Sequence, residues 1–385
     1  MKIRLSSLTL AAALLLAALC GHPARAQKGG TTPSYTFTDL GGLPGLSYRG
    51  MPYTNSQAYA INAAGQIVGT SQTAGSNGGI GHVVIWTKDA TGKYGITDLG
   101  PSQGPNPPVA CYGYALGINS QGEVVGGASS AGVPQFPFLI RPATDTLGNK
   151  VWYRDANADG LNDLMVNLGG QSGQDAHGIN DATQIAAGNV LIQFNSADAE
   201  IVSTLPNGGS AVAINGSGQV AGAQGGRAAL WTLDTAGSIG AMTPLSTLAG
   251  YDTSSASCIS PLGRAAGASI IAALGDRPRA TLWRDSTSPT DVGTLGGQES
   301  EAHGINEVGG ALQIVGYSAR KSNVGGYYAY VWKDGTITDL TSLLNLNGIE
   351  FAVAQAVNAT GQIVGYARVK TKVMTEAHAF LLTPR

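Results

Sequence analysis

Cysteine is nearly missing, with three in 385 residues. Cys20 lies in an N-terminal apolar stretch, which leaves Cys111 and Cys258. A disulfide framework needs more than two thiols, so a packed core must stabilise this chain. The two read as isolated thiols, although an oxidising compartment would permit a bridge. Charge is also scarce: 22 basic and 24 acidic residues make up 12% of the chain, net −2. With no basic excess, phosphate backbones have nothing to bind, and a nucleic-acid partner is excluded. No apolar run approaches the roughly 20 residues that cross a bilayer as a helix. Gly-x-Ser-x-Gly, a phosphate loop, a dinucleotide fingerprint and paired-cysteine zinc spacing are all lacking. What is abundant is glycine, 56 residues beside 17 prolines, in a chain that is 43% apolar. That apolar content supports a core, and the glycine-rich, charge-poor balance points to an all-β fold.

Residues 1–26 read as a secretory signal peptide. Lys2 and Arg4 form a positive start, Leu8 to Leu19 is apolar, and Ala24-Arg25-Ala26 supplies a small-x-small cleavage site. Leu19 precedes Cys20 where a lipoprotein signal would place a small residue, so plain secretion, extracellular or periplasmic, is expected. Residues 27–34 form a short linker, and 35–385 a single domain.

One phrase recurs through that domain: apolar, Asn, two variable residues, Gly, variable, apolar, small, Gly. It runs from Ile61-Asn62 to Gly69, then begins again at Ile118-Asn119, Ile179-Asn180, Ile214-Asn215, Ile259-Ser260, Ile305-Asn306 and Val357-Asn358. The third copy is degraded, with Thr183 and Ala187 in place of glycines, and the sixth carries about three extra residues. Asn or Ser opening a four-residue turn bonds back to the backbone, and Gly closing it tolerates the dihedrals required. The phrase is therefore a β-hairpin. A third strand follows, often ending in Trp (His82 to Trp86, Arg227 to Trp231, Arg279 to Trp283, Tyr328 to Trp332). A fourth ends near Asp98-Leu99-Gly100, Asn167-Leu168-Gly169 or Asp339-Leu340. Tryptophans at strand ends read as packing between units rather than sugar platforms.

Seven four-stranded antiparallel units fit a seven-bladed β-propeller. The seventh unit stops at its third strand, His378 to Leu382. The strand it lacks stands at Tyr35 to Gly41, so the N-terminal strand is expected to complete the last blade and close the ring.

These residues carry a resemblance. His378-Ala379-Phe380, Asp39-Leu40-Gly41-Gly42 and the Ala-x-Ala-Ile-Asn-x-x-Gly-x-Ile-Val-Gly phrase at 58–69 resemble the bacterial extracellular HAF-repeat family, over nearly all of residues 35–383. The resemblance implies secretion and a repeat fold and carries over no catalytic residues.

The sharpest local motif is Asp155-Ala156-Asn157-Ala158-Asp159-Gly160-Leu161-Asn162-Asp163. Calcium takes six to eight hard oxygen ligands, and a central Gly lets the chain wrap sharply. Asp155, Asn157, Asp159 and Asp163 would ligate by side chain and Leu161 by its carbonyl. Val166 stands where an EF-hand has Glu, and the flanks (Val151 to Tyr153, Leu164 to Val166) read as strands. The loop instead looks like the calcium-binding hairpin loops of integrin FG-GAP blades, with a structural role. A solvated polar hairpin tip is the alternative.

His82 and His378 occupy equivalent third-strand starts. His177 and His303 share another register, each two residues after an acid, Asp175 and Glu301. Alternate strand residues face one way, so each pair could meet at the mouth of the channel as a metal or acid–base site, or simply as hydrogen-bonded strand starts. The leading expectation is a monomeric binding module for a protein or glycan, with a structural calcium ion. The alternatives are an extracellular polysaccharide-active enzyme, glycosidase or lyase, acting at the channel mouth, and a structural cell-envelope component.

Overall fold

Short alternating strands punctuated by Asn-x-x-Gly turns leave one face of each sheet uncovered until another sheet packs on it. The computed structural model describes residues 34–48, 50–73, 80–100, 112–130, 133–158, 160–169, 174–271, 277–321, 326–372 and 374–385. Residues 1–33, which hold the expected signal peptide and most of the expected linker, Cys111 and Asp159 lie outside them. Seven sheets of four antiparallel strands follow one another along the chain. Blade 1 comprises Ser56–Ile61, Ile67–Thr73, Ile80–Lys88 and Tyr94–Gly100. Blades 2 to 7 begin at Tyr112–Ile118, Gly178–Ile179, Ser210–Ile214, Thr253–Ile259, Gly296–Val308 and Ile349–Val357. These first strands are innermost, and together they line a central channel with a cavity of about 300 Å³.

Blade 7 takes its outer strand from the opposite end of the chain. Tyr35–Asp39 lies antiparallel on Thr375–Pro384, with Tyr35 opposite Pro384 and Asp39 opposite Phe380. The Leu40 N–H extends the pairing to the Ala379 carbonyl at 3.0 Å. Ring closure therefore takes the form the repeat offset predicts.

The strand-end tryptophans pack between blades. Trp86 meets Val364, Ala379 and Leu381 of blade 7, Trp231 meets Ala186 and Leu191 of blade 3, and Trp283 meets Ala221 and Ala228 of blade 4. All three are buried. Removing a side chain of this size from water stabilises by roughly 1.5–3 kcal/mol or more. Among the described residues there is no α-helix, and no helix is long and apolar enough to cross a membrane.

Three units depart from the pattern. In blade 2 a two-stranded hairpin, Ala143–Thr144 with Lys150–Val151, precedes the fourth strand Met165–Asn167. The flanks of the acidic loop thus pair with different partners, and the loop joins two sheets instead of capping one hairpin. In blade 3 the innermost strand is two residues long, and Thr183 takes φ 53° where the other turns have Gly. That left-handed conformation costs a β-branched residue about 1–3 kcal/mol. In blade 6 the innermost strand runs past Asn306 to Val308. Gly309 (φ 56°) and Gly310 (φ 81°) turn the chain instead, because the extra residues lengthen the hairpin.

Candidate binding site at the channel mouth

A repeated backbone device sets the residues of the channel. In six innermost strands the pairing register slips around one residue: Tyr59, Leu116, Val212, Ser257, His303 and Gln355. Each such residue is a β-bulge that leaves the ladder and lines the channel. His177, just before the short strand of blade 3, lines it too. The bulge explains the glycine closing the phrase. A Cβ on Gly69, Gly126 or Gly365 would collide with the carbonyl oxygen of Gln57, Tyr114 or Val353 on the bulged strand. This glycine serves close backbone approach, not a turn. Blade 3, whose inner ladder is only Gly178 and Ile179, accommodates Ala187 at that position.

Below the bulges, the turn asparagines form a belt. Asn180 is typical: its Oδ1 accepts the Gln184 N–H at 3.0 Å, and its Nδ2 donates to Gln184 Oε1 at 2.8 Å and to the Asn215 carbonyl of blade 4 at 2.9 Å. Asn62, Asn119, Asn215 and Asn358 likewise donate to the next blade, at 2.9–3.1 Å. The Asn358 bond lands on Asn62 and closes the circle. Asn306, displaced by the blade 6 insertion, reaches Val357 at 3.4 Å. Ser260 has no amide to donate, and at that joint Arg264 Nη1 stands 3.5 Å from Glu307 Oε1. The turn bond was legible in the sequence; the inter-blade bond was not, because its acceptor lies in another repeat.

Of the four acid and histidine candidates, His177 and His303 line the channel cavity, and among the four only Glu301 and His303 meet. His303 Nε2 lies 3.9 Å from Glu301 Oε2, while His303 Nδ1 lies 2.9 Å from Gln355 Oε1. The Tyr317 hydroxyl donates to Glu301 Oε2 at 2.8 Å, and its ring meets the His303 ring edge-on. Burial pushes the Glu301 carboxyl up, but His303 and Tyr317 outweigh it and hold the group below the usual carboxylate range. Burial followed by the Glu301 charge raises the Tyr317 phenol, which therefore stays protonated. Asp175 turns away from His177 to blade 2, where it accepts the Tyr114 hydroxyl at 2.9 Å and the Gln135 amide. Burial lowers the His177 imidazole, against the pull of nearby Asp175, so His177 favours its neutral form. Tyr59, Tyr114, Gln135, Tyr317 and Gln355 join the site without having been singled out in the sequence, since nothing local marks them. Among the described residues no three His, Cys, Asp or Glu side chains converge in metal-binding geometry. Cys258 lines the channel as a free thiol, raised by burial to about 12.

Around the acidic loop, Gly160 N–H donates to Asp155 Oδ2 at 2.9 Å and Ala156 N–H to Asp163 Oδ2 at 2.8 Å. Both carboxylates are thereby turned in towards the loop backbone. Asn162 is an anchor: buried, it donates to the Leu99 carbonyl of blade 1 at 3.2 Å and to the Trp152 carbonyl at 2.8 Å. Asn157 and Leu161 lie in the same loop.

No protein-family model and no curated protein matches the chain. Among solved structures it is similar to a streptogramin B lyase, with TM-score 0.45 and 12% identity over 91% of this chain and 98% of that one. It is also similar to the WD40 β-propeller domain of Doa1, with TM-score 0.44 and 12% identity over 89% of this chain and 96% of that one. A third similarity is to Trypanosoma rangeli sialidase in complex with the inhibitor DANA, with TM-score 0.44 and 9% identity over 91% of this chain and 60% of that one. At these identities the likeness is one of chain path and assigns neither ligand nor reaction. By its own strand order and register, the chain is a seven-bladed β-propeller.

Proposed function

We propose that this propeller is a secreted, monomeric binding module whose ligand site is the channel mouth. One observation carries the reading: bulges in six blades, with His177 in blade 3, place one side chain per blade at the channel, on a ladder of backbone hydrogen bonds that does not depend on what those side chains are. Variation there is free to serve recognition. The HAF-type phrases and the N-terminal leader support export.

The chemistry of the mouth favours binding over hydrolysis. A glycosidase needs a carboxylic acid that keeps its proton until it donates it to the leaving group. Glu301 is instead held in its charged form, and Tyr317 in its neutral form. Such groups hold ligand hydrogens and lone pairs without transferring protons. A glycan and peptide array probed with the purified chain tests the reading. Binding lost in Tyr59→Ala or Gln355→Ala supports it; turnover of a polysaccharide abolished by Glu301→Gln would replace it with the enzyme.

The acidic loop is read as a structural calcium site. Asp155, Asn157, Asp159 and Asp163 would supply side-chain oxygens and Leu161 its carbonyl. The hard-oxygen donor set and the inward-turned Asp155 and Asp163 carboxylates fit that ion. Bound there, calcium would tie the blade 2 insertion to its anchor Asn162 and so to blade 1.

A further inference from the structure

We infer that the channel takes a small uncharged amphiphile, with its apolar end on an aliphatic floor inside the propeller and its polar end at the mouth. The inference rests on the channel mouth being the binding site.

Three successive residues of each innermost strand build the well. The bulge residue (His177 in blade 3) stands at the rim, the next is Gly, Ala or Cys, and the third is Ile or Val, directly before the belt residue. Six of these third residues line the cavity: Ile118, Ile179, Ile214, Ile259, Ile305 and Val357. Ile118, Ile179 and Ile214 also line a second cavity, of about 220 Å³, among the turn asparagines. The aliphatic ring therefore partitions the channel and serves as the floor of the well above it. Water resting on that floor finds few hydrogen-bond partners, so hydrocarbon displaces it favourably.

The lining also sets the charge of the ligand. Among the described residues no Asp, Glu, Lys or Arg lines the well, so an ion carried to the floor would have no partner there. Any charge on His303 has Glu301 beside it at 3.9 Å, outside the lining. A sugar ring carries hydroxyls all round and would leave several unpaired against isoleucine. One polar end is served, because Tyr59, Ser257 and Gln355 bring donors and acceptors to the rim. The Tyr59 hydroxyl donates to Gln57 Oε1 at 2.6 Å and keeps its own lone pairs for a ligand donor. None of the exposed large apolar side chains lines the cavity, so a partner protein finds no apolar collar around it. An apolar cavity of about 150 Å³ holds one benzene. The well, of about 300 Å³, therefore suits a short chain or single ring.

Isothermal titration of the intact chain with 1-hexanol, 1,6-hexanediol and hexanoate tests the assignment. The expected result is saturable hexanol binding with a negative heat-capacity change. A second hydroxyl on the tail, or a carboxylate at the head, should reduce affinity about tenfold or more. Val357→Thr puts a hydroxyl in the floor at nearly unchanged volume and should weaken hexanol about threefold or more. The ligand series needs no variant, so a folding defect in Val357→Thr cannot mask the answer. Equal or tighter binding of the diol or of hexanoate, or no hexanol binding, would overturn the amphiphile. So would hexanol binding that neither Val357→Thr nor Tyr59→Ala changes, since it would lie outside the well. A glycan or peptide whose binding is lost in Tyr59→Ala, with hexanol silent, would overturn the amphiphile while leaving the channel mouth as the site. Silence from the series and from the wider array together would overturn the site itself.

Discussion

His378 Nδ1 lies 2.9 Å from Asp39 Oδ2, although 339 positions separate the two residues. This pair ties the third strand of blade 7 to the strand that completes it. His82 and Asp98 make the same contact at 2.9 Å within blade 1, and Arg279 with Asp291 substitutes for it in blade 5 at 2.9 Å. The aspartate in each case also caps its own turn: Asp39 accepts the Gly41 N–H at 3.0 Å and Asp98 the Gly100 N–H at 2.9 Å. The His of the His-Ala-Phe tripeptide and the Asp of Asp-Leu-Gly are thus two halves of one device.

That device makes ring closure pH-dependent. The Asp39 bond raises the His378 imidazole above its ordinary 6.5, against burial. Burial raises Asp39, but His378 and the Gly41 N–H outweigh it and hold the carboxyl below 3.8. The His378 contribution is complete below pH 6.5 and is lost as pH rises through the raised folded value. The Asp39 contribution is complete above 3.8 and is lost as pH falls through the lowered one. His378→Ala should therefore cost about 1 kcal/mol between those limits and less on either side. Denaturant titrations of both proteins from pH 3 to pH 9 check this, and a pH-independent difference would remove the ion pair from the account.

The belt predicts unequal costs for the same substitution. Asn180→Ala strips a buried turn of its cap and of a bond to blade 4, and should destabilise by about 2–3 kcal/mol. Asn306→Ala removes one long bond to blade 7 and a local one accepted from the Glu307 N–H, in a less buried turn, and should cost less, about 1 kcal/mol. Urea midpoints measured side by side decide it.

The closing glycine of the phrase gives a sharper contrast. Gly126→Ala drives a methyl into the Tyr114 carbonyl and should cost about 3 kcal/mol or fail to fold. Gly216→Ala, with open space around its Cβ and no positive φ, should change the melting temperature little.

For the acidic loop, a chelator should lower the wild-type melting temperature by several degrees, and added calcium should restore it. Asp159→Ala should melt at the chelated value with or without the metal. If chelator moves neither protein, the loop holds no ion.

The blade count, the strand order and the closure were legible because their signals are local: alternation within a strand, and Asn, Ser and Gly at a turn. The interior of the channel was not. The Asp175–Tyr114 bond joins residues 61 positions apart in neighbouring blades, so spacing two residues from His177 gave no hint that the acid would turn away. The phrase showed that a glycine recurs at 69, 126 and 365, but only the bulge opposite shows why. The motif assigns Asn162 no role among the calcium ligands, whereas its amide fastens the loop to blade 1.

Ser260 leaves the circle with one softer joint. Every other junction between turns has a carboxamide reaching across it, while among the described residues the turns of blades 5 and 6 are joined by the Arg264–Glu307 charges instead. Charges of this kind weaken in brine, and an amide does not. The wheel therefore has a seam whose place is written in one side chain. Breathing, proteolytic nicking and the first step of unraveling should begin between those two blades, more readily as ionic strength rises.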